Sequence, residues 1–337
     1  VNKNTWKLVI HPAVEPQRLA RIVAVDERLQ VVNAADSHGA LQAMPGADAF
    51  FGKLTPDLIA AADRLRWVQA PTASLEHFLF PELVAHPCQL TNMRGLYSDI
   101  VADQVIGYIL CFARNLHTYI RTQHRAVWSP CGGEETRTSF ATGPGVVSGI
   151  DLAHDQLCQQ TLGIIGLGGI GTALARRATA FEMRLIAIDP RTAQTETPFE
   201  VRPPTELDWL LGQSDYVALC APHTPETAQL IRRTQLQSMK SSARLINVGR
   251  GALVSLADLV AALEAKEIAG AALDVFETEP LPSDHALWKL DNVILTPHVA
   301  GFGPLIAARH LQVLLDNLRR FVAGQPLLNL VDKAAWY

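Results

Sequence analysis

Arg250, Glu279 and His298 each follow a short apolar run that ends in a turn, which places each side chain at the C-terminal tip of one of several neighbouring strands. An imidazole with a carboxylate makes an acid/base pair, and a guanidinium close by makes an anion clamp. Upstream, Gly166-Leu167-Gly168-Gly169-Ile170-Gly171 continues the apolar run Thr161 to Ile165 and opens the helical pattern of Thr172 to Phe181. Glycine spacing alone is a weak signal; its position between a strand and a helix gives it force. Gly166 permits the tight turn, Gly168 lets backbone approach a pyrophosphate, and Gly171 allows close packing of helix on strand. The N–H groups from Gly169 and Ile170 onward and the helix dipole favour phosphate charge.

Asp189 ends the next apolar run, at about the twenty-residue offset where a carboxylate accepts from the adenosine ribose hydroxyls. It points to NAD, because a 2′-phosphate would be repelled there. Arg191 is placed to compensate and keeps NADP open, while Asp189-Pro190 also reads as a simple turn opener.

The 337 residues suffice for two domains, and a net charge of −4 with both signs interspersed gives no footprint for nucleic acid or an anionic membrane. No apolar stretch is long enough to span a bilayer, and Val1 to Trp6 lacks the pattern of a signal peptide. Cys88, Cys111, Cys131, Cys158 and Cys220 are scattered and odd in number, which reads as reduced, mostly buried thiols of a cytoplasmic protein without a metal site.

Behind these groups the chain alternates apolar runs with helical patterns. Leu8 to Ile10, Val31 to Asn33, Ala49 to Phe51 and Trp67 to Gln69 read as parallel strands, and Ser98 to Leu116 as one helix long enough to bridge two domains. Six further strands begin near Thr161, Leu185, Tyr216, Arg244, Gly270 and Asn292, as in a doubly wound sheet. Ser129 to Ile150 reads as a long loop, and Leu305 to Val322 as a helix returning to the first domain. The expected division is 1–100 and 302–337 for a substrate domain and 101–301 for a dinucleotide domain.

Gly166 to Gly171, Asp189, Asn247-Val248-Gly249-Arg250-Gly251, Ala272-Leu273-Asp274-Val275-Phe276 with Glu279-Pro280, and Thr296-Pro297-His298 together resemble the D-isomer-specific 2-hydroxyacid dehydrogenases, over most of the chain. The resemblance implies an α/β fold of two doubly wound parallel-sheet domains, a Rossmann cofactor domain inserted in a flavodoxin-like substrate domain, a cleft that closes on binding, and a homodimer through the cofactor domains. It also implies cofactor contacts from Cys220-Ala221-Pro222, Val248, Gly249, Asp274 and Gly301, and substrate contacts from Ser74 and Leu75. Ser74 stands where the family commonly has glycine in a loop whose backbone N–H groups hold the substrate carboxylate. Asp103-Gln104 replaces the usual Glu-His, and the loop from Ser129 is longer than usual.

The implied reaction moves hydride between NAD(H) and a small 2-keto or D-2-hydroxy acid such as glyoxylate or hydroxypyruvate. His298 would protonate the carbonyl oxygen, Glu279 would hold the imidazole, and Arg250 would bind the carboxylate. Glu277 is the competing acid, and the resemblance favours Glu279 because it directly precedes Pro280. A formate dehydrogenase carries glutamine as the histidine's partner, so Glu279 argues against that reading. An NAD-sensing, nonenzymatic regulator of the corepressor type is the other alternative. His11 and His223 read as bystanders, His223 as a surface residue, and Trp288 as a packing anchor.

Overall fold

In the computed structural model, which describes residues 5–133, 147–191 and 197–336, the apolar runs become parallel strands and the chain separates into two compact units, 1–97 with 303–337 and 98–302. The first unit carries β1 (Trp6–His11), β2 (Leu29–Asn33), β3 (Ala49–Gly52), β4 (Trp67–Gln69) and β5 (Gln89–Thr91), in the order β2-β1-β3-β4-β5. β5 was not expected, because only three residues pair and Gln89 is exposed, which leaves too short an apolar signal.

Helix Ile306–Val322 packs on this sheet through Leu311, Leu314, Leu315, Leu318 and Phe321. Asn317, fully buried in that apolar stripe, is tolerated because every polar atom is used: it donates to Gln69 Oε1 (2.9 Å) and the Leu328 carbonyl (3.1 Å) and accepts from the Leu328 N–H (2.7 Å). Gln69 Oε1 accepts a second bond from Thr91, which in turn accepts from the Trp67 indole. The chain end runs antiparallel beside β5 at Thr91 and Leu330.

The second unit carries β6 (Thr161–Ile165), β7 (Arg184–Ile188), β8 (Glu200–Arg202), β9 (Tyr216–Leu219), β10 (Arg244–Asn247), β11 (Gly270–Leu273) and β12 (Val293–Leu295), all parallel, in the order β12-β11-β10-β9-β6-β7-β8. β6, β9 and β11 are buried along their whole length, which is why they read as unbroken apolar runs. The sheet has seven strands where six were expected: β8 is a polar Glu-Val-Arg edge strand with no apolar signature. The chain begins in the middle with β6, winds outward to β8, then crosses to β9 and winds the other way. Ligands of such sheets bind beyond the strands' carboxyl ends at that reversal.

Three boundaries differ from the sequence reading. The helix from Ser98 stops at Ala113, Asn115 takes a left-handed φ of 55°, and a second helix runs Leu116–His124, so Leu116 is 43% exposed instead of continuing the buried stripe. The loop from Ser129 ends earlier, because Ser148 and Asp151 form a capping box that starts a helix at Gly149; residues 134–146 lie outside the described residues. The helix after the glycine turn begins inside it, spanning Gly169–Thr179. All five cysteines are free, but only Cys88 is buried and Cys158 is exposed, against the expectation of mostly buried thiols. Among the described residues no helix is long and apolar enough to cross a membrane, and no group of three or more His, Cys, Asp or Glu could hold a metal ion.

Candidate active site

The glycine turn lies at the end of β6, next to the point of reversal. Gly166 has φ 95°, and a Cβ there would stand 2.9 Å from the Ala221 backbone beyond β9. A Cβ on Gly171 would stand 2.1 Å from the Gly166 carbonyl oxygen, so the helix can lie this close to the turn only with glycine. Gly168 is different: nothing lies within 4 Å of its Cβ position, and it is the N-cap of helix Gly169–Thr179 with no side-chain cap. Two closed glycines therefore frame an open one, where the helix's first N–H groups face outward. This arrangement fits a pyrophosphate.

Asp189, at the end of β7, is 3% exposed and serves the turn as well. It accepts from the Leu167 N–H (2.8 Å), from the Arg191 N–H (2.9 Å) and from two guanidinium nitrogens of Arg191 (2.9 and 3.1 Å). Four donors use the ordinary capacity of a carboxylate. Burial alone would raise its pKa; the hydrogen bonds from Arg191 and Leu167 outweigh that and hold it below the usual carboxylate value. The bracing of the glycine turn by Asp189 was not read from sequence, since nothing in the spacing shows which backbone N–H it meets.

From β6 to β12 the connecting loops touch in succession along the carboxyl edge. A Cβ on Gly249 would stand 2.7 Å from the Ala221 carbonyl oxygen, and one on Gly251 would stand 1.9 Å from Phe276 backbone atoms. Asn247, fully buried at the end of β10, accepts from the Gly249 N–H (3.1 Å) and donates to the Arg250 carbonyl (2.9 Å), which fixes the backbone from which Arg250 projects. Arg250 itself is half-buried and donates Nη1 to the Gly249 carbonyl (2.7 Å). Val248 is buried. Asn247 is thus a positioning residue, and its one signal in the sequence is a polar residue closing a buried strand.

Beyond β11, Glu279 turns back so that Oε1 accepts the Phe276 N–H (2.9 Å) and Oε2 meets His298 Nδ1 at 2.7 Å. The carboxylate can only accept, so Nδ1 carries the proton in this contact, and among the described residues Nε2 has no partner. The imidazole is 49% exposed and the Glu279 side chain 35%. His298 stands at φ 53°, and its N–H donates to the Asp274 carbonyl (2.9 Å). Asp274, 2% exposed, accepts from Thr296 Oγ1 and from the N–H groups of Val299 and Ala300, so its carboxylate underpins the histidine's loop, which ends at Gly301. The structure thus brings Arg250, Glu279 and His298 to the tips of three adjacent strands.

Other expectations meet different outcomes. Burial pushes the Cys220 thiol up to about 12, which leaves it protonated and poorly nucleophilic. Trp288 is 54% exposed, with its indole N–H on the Pro282 carbonyl; the packing anchor of that turn is its neighbour Leu287, 1% exposed. His223 is partly exposed, in keeping with a place at the surface. In the first unit Ser74 does not take a left-handed φ, so the loop after β4 does not require glycine there. Leu75 is buried in the core of that unit, which leaves only its backbone to meet a ligand.

The model of the NAD binding domain of D-isomer specific 2-hydroxyacid dehydrogenases matches residues 106–300, more than half of the chain and all within the second unit. The chain belongs to the D-isomer specific 2-hydroxyacid dehydrogenase family. It is similar to the glyoxylate reductase of Thermofilum pendens, 35% identical over 83% of this chain and 79% of that protein, and to glyoxylate/hydroxypyruvate reductase B of Yersinia pestis, 32% identical over 94% and 93%. Among solved structures, a D-isomer specific 2-hydroxyacid dehydrogenase from Xanthobacter autotrophicus in complex with NADPH and MES superposes with a TM-score of 0.78 at 27% identity, covering 99% of this chain and 100% of that one. As a member of this dehydrogenase family the protein is an oxidoreductase with a nicotinamide dinucleotide-binding domain, and its reaction moves hydride between that cofactor and a 2-keto or 2-hydroxy acid.

Proposed function

We propose that this dehydrogenase reduces a small, unphosphorylated 2-keto acid, with glyoxylate and hydroxypyruvate as the leading substrates, and that Arg250, Glu279 and His298 carry the chemistry. The observation that supports this most is the 2.7 Å contact between His298 Nδ1 and Glu279, which leaves Nε2 for the substrate. When bound, the dinucleotide supplies the hydride. Charge grows on the carbonyl oxygen as it is reduced; His298 Nε2–H donates to that oxygen and transfers its proton, and Glu279 stabilises the imidazolium that must precede the step. In the reverse direction neutral Nε2 takes the hydroxyl proton. Arg250 holds the substrate carboxylate through its planar donor fork, which fixes the carbonyl's orientation.

Gly166, Gly168, Gly169, Ile170 and Gly171 are the proposed pyrophosphate cradle, with Ala221, Pro222, Val248 and Gly249 along the nicotinamide side. NAD(H) is the proposed cofactor. For its ribose to reach Asp189, the Arg191 guanidinium must give up its bonds to that carboxylate, and the released cation is what would admit NADP(H) instead. The first unit is the proposed substrate domain, with the backbone of Ser74 and Leu75 as carboxylate donors.

Incubating the protein with NADH or NADPH and glyoxylate, hydroxypyruvate, pyruvate or phenylpyruvate, and following absorbance, tests the reading. Turnover of glyoxylate or hydroxypyruvate is expected; turnover of none overturns it. Arg250→Lys should raise the keto acid's KM by about tenfold or more, since one ammonium cannot replace two charge-assisted bonds. An unchanged KM would place the carboxylate elsewhere.

The reading includes a homodimer through the second unit, in the cytoplasm. Val127, Trp128, Val147 and Leu152 are 49–77% exposed and lie on either side of residues 134–146, with exposed Leu116 and Ile120 on the preceding helix. Sedimentation should return twice the chain mass, and a monomer at micromolar concentration would refute the assembly. Five free cysteines accord with a reducing compartment.

A further inference from the structure

We propose that Tyr108 and Thr296 are positioning residues for His298: a phenol and a hydroxyl that lock, through Asp274, the backbone turn on which the imidazole stands. The inference rests on the reading of His298 as proton donor.

Thr296 follows β12, and its Oγ1 donates to Asp274 Oδ1 at 2.5 Å. A threonine has one hydroxyl proton, and a carboxylate can only accept. The Tyr108 hydroxyl, which also contacts Thr296 Oγ1, must therefore be the donor in that second bond. Tyr108 belongs to helix Ser98–Ala113 and is 3% exposed; burial pushes its phenol up, opposed by hydrogen bonds to Thr296 and Gln104, so it keeps its proton. The result is a directed chain, phenol to hydroxyl to carboxylate, ending on a side chain with 2% exposure.

Asp274 gathers three consecutive backbone donors. Its carbonyl takes the His298 N–H, Oδ1 takes the Val299 N–H and Oδ2 the Ala300 N–H, each at 2.9 Å. Holding these three N–H groups on one residue keeps His298 at φ 53°, a conformation that costs a residue with a Cβ and persists where the surroundings over-determine it. Thr296 fixes the Asp274 rotamer from one side and Tyr108 fixes Thr296 from the helix. Without the two hydroxyls only the Val299 and Ala300 N–H groups still hold the carboxylate, the turn loosens, and Nε2 shifts relative to the glycine cradle and Arg250. Neither residue touches the reacting atoms; both act through the turn.

The test compares Thr296→Val, Thr296→Ser and Tyr108→Phe with wild type in kcat, in KM for the keto acid, in NADH affinity by fluorescence, and in amide hydrogen exchange of the segment 296–300. Thr296→Val should lower kcat about tenfold or more with NADH affinity within about twofold, and should speed exchange of that segment. Tyr108→Phe should move the same quantities less, and Thr296→Ser, which restores the hydroxyl, should recover kcat and protection. The proposal is overturned if Thr296→Val leaves kcat and exchange unchanged, or if Thr296→Ser falls as far as Thr296→Val. Should wild type reduce no keto acid, the dehydrogenase assignment fails on its own, and the exchange comparison still decides whether the hydroxyls hold the turn.

Discussion

His298→Ala should lower kcat for keto-acid reduction by about a hundredfold or more while NADH binds almost as well as to wild type, because a positioned general acid contributes at least that factor. Alanine removes Nε2, and it leaves Glu279 Oε2 without its described partner. It also disfavours φ 53° more than histidine does, so loss of activity in this variant alone would mix two causes. His298→Asn separates them. Asparagine adopts left-handed backbone readily and keeps the turn, yet has no proton to transfer near neutral pH. Both variants should fall together in stopped-flow single turnover, with tryptophan fluorescence reporting NADH affinity. If His298→Asn keeps most of its rate, the acid lies elsewhere and the turn was the histidine's only contribution.

Gly251→Ala should be nearly as damaging, though residue 251 has no chemistry. Its Cβ would stand 1.9 Å from the Phe276 carbonyl carbon and oxygen and 2.5 Å from the Glu277 nitrogen, all backbone atoms that cannot swing aside. The Arg250 loop and the loop leading to Glu279 must then separate by more than an ångström. Overpacking of this kind costs about 1–3 kcal/mol, and a displacement of that size between catalytic groups costs about a hundredfold in rate. Urea unfolding and kcat/KM measured on one preparation would check both. Wild-type values in the two assays would mean that the loops are not packed as described.

The groups with chemistry were legible early because glycine spacing and residues at strand ends are local signals. Gly166, Asp189 and His298 each stand at a recognisable change from apolar run to turn. What the groups lean on was not legible, since it depends on pairings distant in sequence: Asp274 with Val299 and Ala300, Gly251 with Phe276, Tyr108 with Thr296. The strands that escaped notice, β5 and β8, are three-residue elements with exposed or polar members, where hydrophobic periodicity carries little information. In the helix from Ser98 the periodicity overshoots the structure for the opposite reason. Leu116 continues the apolar period, but the left-handed Asn115 before it rotates the following turns out of phase.

The succession of contacts from Gly166 to Ala221, Gly249, and then Gly251 to Phe276 bears on engineering. Loops that meet main chain to main chain have no slack to absorb an inserted or exchanged neighbour. A transplant of the histidine segment into another dehydrogenase would need the whole rim, from the turn after β6 to Gly301, moved as one casting. Redesign of substrate range is better begun at side chains that stand clear of that seam.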